Sequence, residues 1–391
     1  MKPFLTRIAA ASAALLGAVL VSGCGGGATA DTTPQVAITS VKVFGDSLQD
    51  SGTFSGVKAT VQGTNSLLYV ERIAANYGKT LCNFFKATYD TSGNVTGFAP
   101  NTTAGCTNYA IGGGVITYTG AGGAANPLTI GTQMATYAAT GSFTACDLVI
   151  IDGGGNDSAN LVGAYLKART DSGATYSALL GTLLTSSQIT TALTGGAATT
   201  AAIGGTYMTA LADKFYTSIK TNVLDKGATH VVVMNIPDIT FTPRFQMVLD
   251  SIAAASGGGT AGAAARAQSQ ALFQTWISAY NTQLAAKFAG NANVIVIDFY
   301  KAFQDQVATP AQFALTNVTT PACPPVGTGS DGLPTYSFPT CTDTALSATA
   351  GKPSTDWWKS YAFSDSFHPT PYGHQLTQQL IAKSLATKGW L

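Results

Sequence analysis

The sequence predicts an α/β protein in which crossover helices flank a parallel sheet, and two observations carry that prediction. The first is a set of four short β-branched runs, Ile38 to Phe44, Leu148 to Ile151, Val231 to Met234 and Val294 to Ile297, which read as buried strands. The second is the helical spacing that separates several of them. Met208, Leu211, Phe215, Ile219 and Val223 recur at three- and four-residue steps before Gly227, and Phe273, Trp276, Tyr280, Leu284 and Phe288 do so before Gly290. Leu67 to Tyr77 and Tyr372 to Leu385 add a helix after the first strand and one at the end of the chain. The strand runs exclude an all-helical protein. Gly/Ala/Thr-rich stretches at 119–126, 194–206 and 253–267 lack periodicity and are predicted to be loops or linkers.

Composition narrows the function classes. Hydrophobic residues make up 46% of the 391, enough for a substantial core. Only 10% are charged, against roughly 25% in an average soluble domain. The surface must therefore be solvated largely by Thr, Ser, Asn, Gln and Gly, which suits an exported protein. The net charge of +1 leaves no basic excess for counterion release, so nucleic acid is excluded as a partner.

The N-terminus reads as a leader spanning residues 1–23, with Lys2 and Arg7 ahead of an apolar run from Ile8 to Leu20. That run is short for a membrane span of ~20 residues. Its end, Val21-Ser22-Gly23-Cys24, resembles a bacterial lipobox, which implies cleavage before Cys24 and acylation of its thiol. An ordinary cleaved signal peptide and a retained anchor are the alternatives. Gly25 and Gly26 follow Cys24, not the Asp of an inner-membrane retention signal, which favours the outer membrane of a Gram-negative host, with a periplasmic or secreted protein as alternatives. Residues 24–37 then form a flexible tether, and 38–391 a single domain with long surface insertions.

Five further cysteines fit an oxidising compartment. Pairing Cys82 with Cys106 and Cys323 with Cys341 closes two loops of roughly 20 residues, each stabilising by about 3 kcal/mol in the chain-entropy model. Cys146, at the entrance of an apolar strand, is then expected to be a buried small hydrophobe.

Chemistry concentrates where strands end. The first strand runs into Phe44-Gly45-Asp46-Ser47-Leu48, placing Ser47 where open α/β sheets hold ligands. Near the C-terminus, Asp365 precedes His368 by three positions, a spacing of one helical turn or a tight loop. Either can hold the carboxylate on one ring nitrogen and leave the other as a general base. Among the other histidines, His230 opens an apolar strand as a structural residue, and His374 caps or packs within a helix. In Asn108-Tyr109-Ala110-Ile111-Gly112-Gly113-Gly114 a glycine lets a backbone N–H approach a reacting oxygen, and Asn156 emerges from the strand that empties into Gly153-Gly154-Gly155.

Four segments in order, Gly45-Asp46-Ser47-Leu48, the run around Gly113, Gly154-Gly155-Asn156-Asp157 and Asp365-Ser366-Phe367-His368, resemble blocks I, II, III and V of the GDSL, or SGNH, hydrolase family. The resemblance covers about residues 38 to 388 and implies a three-layer, flavodoxin-like α/β/α fold. It further implies a catalytic triad of Ser47, His368 and Asp365, and an oxyanion hole from the Ser47 N–H, the Gly113 N–H and the Asn156 side chain. Gly112 and Gly114 leave the register of the glycine donor open by one. Asn235-Ile236-Pro237-Asp238 also looks like the family's exit from its strand, without assigned chemistry.

Competing motifs are incomplete. Gly78-Lys79-Thr80 lacks the glycine of a P-loop, no H-E-x-x-H occurs, and no G-x-S-x-G elbow is present. Neither cofactor nor metal is called for. The expectation is an exported serine ester hydrolase acting on carboxylic esters or lipids. A carbohydrate acetylesterase or phospholipase is the alternative, and a non-catalytic surface binding protein the alternative of another class. Phe338, Trp357 and Trp358, near the second cysteine pair, are expected to wall the acyl pocket, or else to form a satellite hydrophobic cluster. Natural substrate and oligomeric state are not encoded in these motifs.

Overall fold

A computed structural model describes residues 36–391; the leader, the lipobox Cys24 and most of the tether lie outside the described residues. Strand β1 (Ser40–Phe44) leads to α1 (Tyr69–Asn76), the hairpin strands β2 (Phe85–Tyr89) and β3 (Val95–Pro100), and α2 (Ile130–Thr140). Then come β4 (Asp147–Ile151), α3 (Gly155–Lys167), α4 (Ala174–Leu180), α5 (Ser186–Thr194), α6 (Ala197–Asn222) and β5 (His230–Met234). The chain continues through α7 (Pro243–Ala255), α8 (Gly259–Phe288), β6 (Val294–Ile297) and α9 (Phe299–Ala308). It ends with β7 (Gly327–Thr328), β8 (Pro334–Thr335), α10 (Asp343–Ser347) and α11 (Pro371–Thr387).

The four expected strands form one parallel sheet in the order β1-β4-β5-β6. Outside β1 the backbone of residues 107–111 completes the edge: Val43 N donates to Thr107 O (3.0 Å), Tyr109 N to Val43 O (2.8 Å) and Ile111 N to Gly45 O (3.2 Å). Counting that segment second along the chain, the spatial order is that of flavodoxin-like sheets.

Alternation along the strands splits the core into two layers. Val149, Ile151, Val231 and Val233 face α2, α3, α6 and α8, and Val41, Val43, Ile150 and Val232 face α1, α9 and α11. The central strands β4 and β5 are buried at every position, which is why they run apolar after their first residue, whereas β1 carries Ser40 and Lys42 on one face and β6 is half-buried at Ile295 and Val296.

Two of the three stretches expected to be loops are largely helical. Residues 197–206 open α6, and 253–255 and 259–267 belong to α7 and α8. Ala has the highest helix propensity but too little hydrophobicity to mark a face, so a helix made of it shows no periodicity. Its glycines serve close packing: a Cβ on Gly204 would overlap the Trp276 ring, and one on Gly262 would collide with the Ala253 carbonyl. Residues 119–126 do form the expected loop, with one 3₁₀ turn at Gly123–Ala125.

Both disulfides form as paired in the sequence analysis, Cys82–Cys106 and Cys323–Cys341, and each closes a segment holding a hairpin, β2–β3 and β7–β8. Such bridges point to an extracellular or periplasmic location. Cys146 departs from expectation: it is half-buried in the turn before β4. Its carbonyl accepts from Thr39 N (2.9 Å) and Ser40 N (3.3 Å), so the backbone is fixed while the side chain is left outside the core.

Candidate active site

Ser47 lies in the turn just past β1, and the turn has no room for larger residues. A Cβ on Gly45 would collide with Asp152 and Gln49, while the Gly45 N–H donates to Gln133 Oε1 (2.8 Å) and its carbonyl accepts from Gln133 Nε2 (3.0 Å). Asp365 and His368 sit in a tight loop, not a helical turn. Ser364 N donates to His368 O (2.8 Å), and Thr370 Oγ1 accepts from Gly373 N (3.1 Å), capping α11 immediately afterwards. Within that loop Asp365 Oδ1 accepts from the backbone N–H groups of Phe367 (2.7 Å) and His368 (2.6 Å). Its Oδ2 is 2.9 Å from His368 Nδ1, and His368 Nε2 is 2.8 Å from Ser47 Oγ. Residues 321 positions apart in sequence are thus joined in one hydrogen-bonded chain.

The two glycine-rich segments meet beside it. Gly154, in the left-handed region at φ 101°, caps α3, so Asn156 stands in the first turn of that helix. Asn156 Nδ2 donates to Gly114 O (2.9 Å), leaving its second N–H free of that bond. A Cβ on Gly114 would come within 2.7 Å of Gly45 O, which packs this loop directly on the Ser47 turn. Gly112 N donates to Asp50 Oδ2 (2.8 Å) and Gly114 N to Ile111 O (2.9 Å). Gly113, exposed and at φ 82°, has no hydrogen bond from its N–H among the described residues, and nor does Ser47. Buried Asp157 ties the segments together by accepting from Ile116 N (2.9 Å) and Thr117 N (3.0 Å).

A family model described as GDSL-like Lipase/Acylhydrolase matches residues 41–381. The chain belongs to that family. It is accordingly a hydrolase of ester bonds, on the three-layer fold the family resemblance implied. No curated relative matches it.

Electrostatics in this GDSL-family site favour a charged or charge-ready imidazole. Burial pushes the His368 pKa down, but Asp365 and, more weakly, Asp46 outweigh it, so the ring titrates above its ordinary 6.5. Burial pushes Asp365 up, and His368 with the two backbone N–H groups reverses this, so it stays below the usual carboxylate range. Beneath the Ser47 turn two further carboxyls are buried together. Asp152 Oδ1 accepts from Asp46 N (3.2 Å), and its Oδ2 is 3.1 Å from Tyr69 Oη. Burial and the neighbouring Asp46 charge raise Asp152 well above its ordinary value, and Asp46 is raised chiefly by burial. Asp157 is raised to about 6 by burial. His374 packs on Tyr69 at 6.1 Å between ring centroids, and burial lowers it to about 3. His230 opens β5 and lies edge-on to Trp390.

A cavity of about 60 Å³ adjoins Ser47, lined mainly by Met234, Ile236, Phe299, Phe303, Phe363 and Phe367. Trp357 and Trp358 are not part of it. They are buried with Val61, Leu346 and the Cys323–Cys341 bridge in a satellite cluster, where Trp357 Nε1 donates to Leu346 O (2.9 Å). Of the expected aromatic wall only Phe338 reaches the site, edge-on to His368 at 5.5 Å. Sequence reasoning singled out Asn235-Ile236-Pro237 after β5 without giving it a role and missed the Phe299 turn after β6; both line the cavity. The available signal was their position at carboxyl ends of strands beside Ser47.

Proposed function

We propose that the protein hydrolyses carboxylic esters of short acyl chains through a Ser47-His368-Asp365 triad and an acyl-enzyme. The observation that carries the reading is the unbroken chain Asp365 Oδ2, His368 Nδ1, His368 Nε2, Ser47 Oγ at 2.9 and 2.8 Å. In it, Ser47 Oγ attacks the ester carbon while His368 Nε2 takes its proton, then returns that proton to the leaving alcohol. Water, activated by the same ring, releases the acid. The Ser47 and Gly113 N–H groups and the second Asn156 N–H receive the negative oxygen, helped by the N-terminus of α3. The free N–H of Gly113, between two engaged neighbours, supports that register.

A cavity of about 60 Å³ has room for about two waters at ~30 Å³ each, which suits a short acyl unit. Export follows from the leader, the two disulfides and the weakly charged surface, with Cys24 as the lipid-bearing residue that attaches the protein to the outer membrane or cell surface. Among the described residues no helix is long and apolar enough to cross a membrane.

The test is hydrolysis of p-nitrophenyl acetate and butyrate by wild type and Asn156→Ala. Wild type is expected to turn both over, and the variant to lose roughly 10²–10³ in kcat with little change in KM. No turnover by folded wild type contradicts the hydrolase reading, and an unchanged kcat in the variant removes Asn156 from the oxyanion hole.

A further inference from the structure

Beside the small cavity runs a groove of about 1300 Å³, bordered by α3, α4, α7, α8 and the segment around Asp331 and Leu333. It begins at the catalytic loop. Arg244, on its wall, donates its backbone N–H to Ser366 O (2.8 Å), and its neighbour Phe245 stacks on Phe367 at 6.4 Å between centroids. Residue 368 follows directly. Phe367 and Pro369 also line the small cavity, so size makes the division: the groove has room for the longer, alcohol side of an ester. The acyl side then falls to the small cavity.

The groove's floor is α3. Gly155 lines the small cavity, and Ala159 and Gly163, one and two turns further along the helix, line the groove. An added Cβ at Gly155 or Gly163 would meet nothing within 4 Å, so the floor is open for want of side chains. From Gly155 to the end of α3 at Lys167 is about 18 Å at 1.5 Å per residue. Just beyond stands Arg169, exposed, lining the groove and without an ion pair among the described residues. The other arginine of the lining, Arg244, pairs with Asp331 at 2.5 Å.

The lining mixes aliphatic side chains such as Val162, Leu179 and Val248 with the amide donors of Asn160 and Gln268. A ligand that fits is a chain interleaving short alkyl segments with hydrogen-bond acceptors. The groove's carboxylate, Asp331, is paired with Arg244, so a donor-rich ligand such as a sugar finds its acceptors there only in amides and hydroxyls.

We infer that the substrate is a linear oligoester of a short hydroxy acid, with its hydroxyl-terminal unit in the small cavity, its remaining units along α3 and its terminal carboxylate at Arg169. This rests on the triad reading above and names its substrate class. Ser47 Oγ bonds to the carbonyl carbon of the terminal unit, and the bond from that carbon to the alkoxy oxygen breaks. His368 passes the Ser47 proton to that oxygen, releasing an oligomer one unit shorter with a new hydroxyl end. Water then cleaves the acyl-Ser47 bond and frees one hydroxy acid.

The test uses linear 3-hydroxybutyrate dimers to pentamers with free or methylated carboxyl ends, decyl acetate, an acetylated xylo-oligosaccharide and p-nitrophenyl acetate. For wild type, kcat/KM is expected to rise roughly tenfold or more from dimer to tetramer as the groove fills, with monomer as the first product. Gly163→Trp, which fills the floor without entering the core, is expected to abolish that rise and leave p-nitrophenyl acetate turnover within about twofold. Arg169→Gln is expected to lose the preference for a free over a methylated carboxyl end. Equal rates on dimer and tetramer, internal cleavage first, or a preference for decyl acetate or the acetylated sugar overturns the inference while leaving the hydrolase reading intact. Failure of wild type on p-nitrophenyl acetate overturns both.

Discussion

The rim of the sheet and the helical groove beside it are both rich in glycine, and they use it for opposite ends. At the rim, Gly45 and Gly114 bring backbone against backbone and buried carboxyls, so that Ser47, Gly113 and Asn156 are held within hydrogen-bonded turns. In α3 the glycines leave space empty, and in α6 and α8 Gly204 and Gly262 let helices approach closely. On the proposed reading, one region fixes the reacting groups and the other shapes what they can reach. Substitutions in the first should therefore cost rate, and in the second stability or reach.

The largest expected effect is at the rim. Asp365→Asn keeps the loop but removes the charge that holds His368 above 6.5, and kcat is expected to fall by roughly 10⁴. His368 must be neutral to accept the Ser47 proton, so kcat/KM of the wild type falls as pH drops through the raised His368 pKa. That acid limb should lie above pH 6.5 in the wild type and move to lower pH in the variant. A limb that stays in place would detach Asp365 from His368. Both enzymes can be followed on p-nitrophenyl acetate across the same pH range.

A smaller effect, and of the other kind, is expected in the helices. Gly204→Ala places a methyl group into the Trp276 ring, and overpacking of that sort costs about 1–3 kcal/mol, partly offset by the better helix propensity of Ala. Thermal or urea unfolding should show the loss, while kcat per folded molecule stays at the wild-type value. A drop in kcat at full folding would mean that the two regions are coupled.

The same division decides what the sequence could reveal. The central strands were legible because burial on both faces makes them apolar runs, and the Asp365–His368 contact because a three-residue spacing within one tight loop sets it. The disulfides were legible from loop length alone. Residues 194–206 and 253–267 were not, because Ala-rich helices carry propensity without a hydrophobic face and their glycines answer to distant partners such as Trp276. Trp357 and Trp358 misled for a related reason: aromatic residues near a catalytic loop in sequence can turn to a separate cluster, and only the tertiary fold decides which. The walls of the small cavity come from Ile236 at the exit of β5 and from Phe299 and Phe303 on the helix after β6, two distant places that no local motif connects.

Labelling with a fluorophosphonate, followed by peptide mapping, reads the reactivity of the serine directly. The account predicts one modification per folded molecule, at Ser47, abolished by Ser47→Ala and strongly slowed by His368→Ala. Folded wild-type protein that takes up no label, or takes it up at another residue, would contradict it.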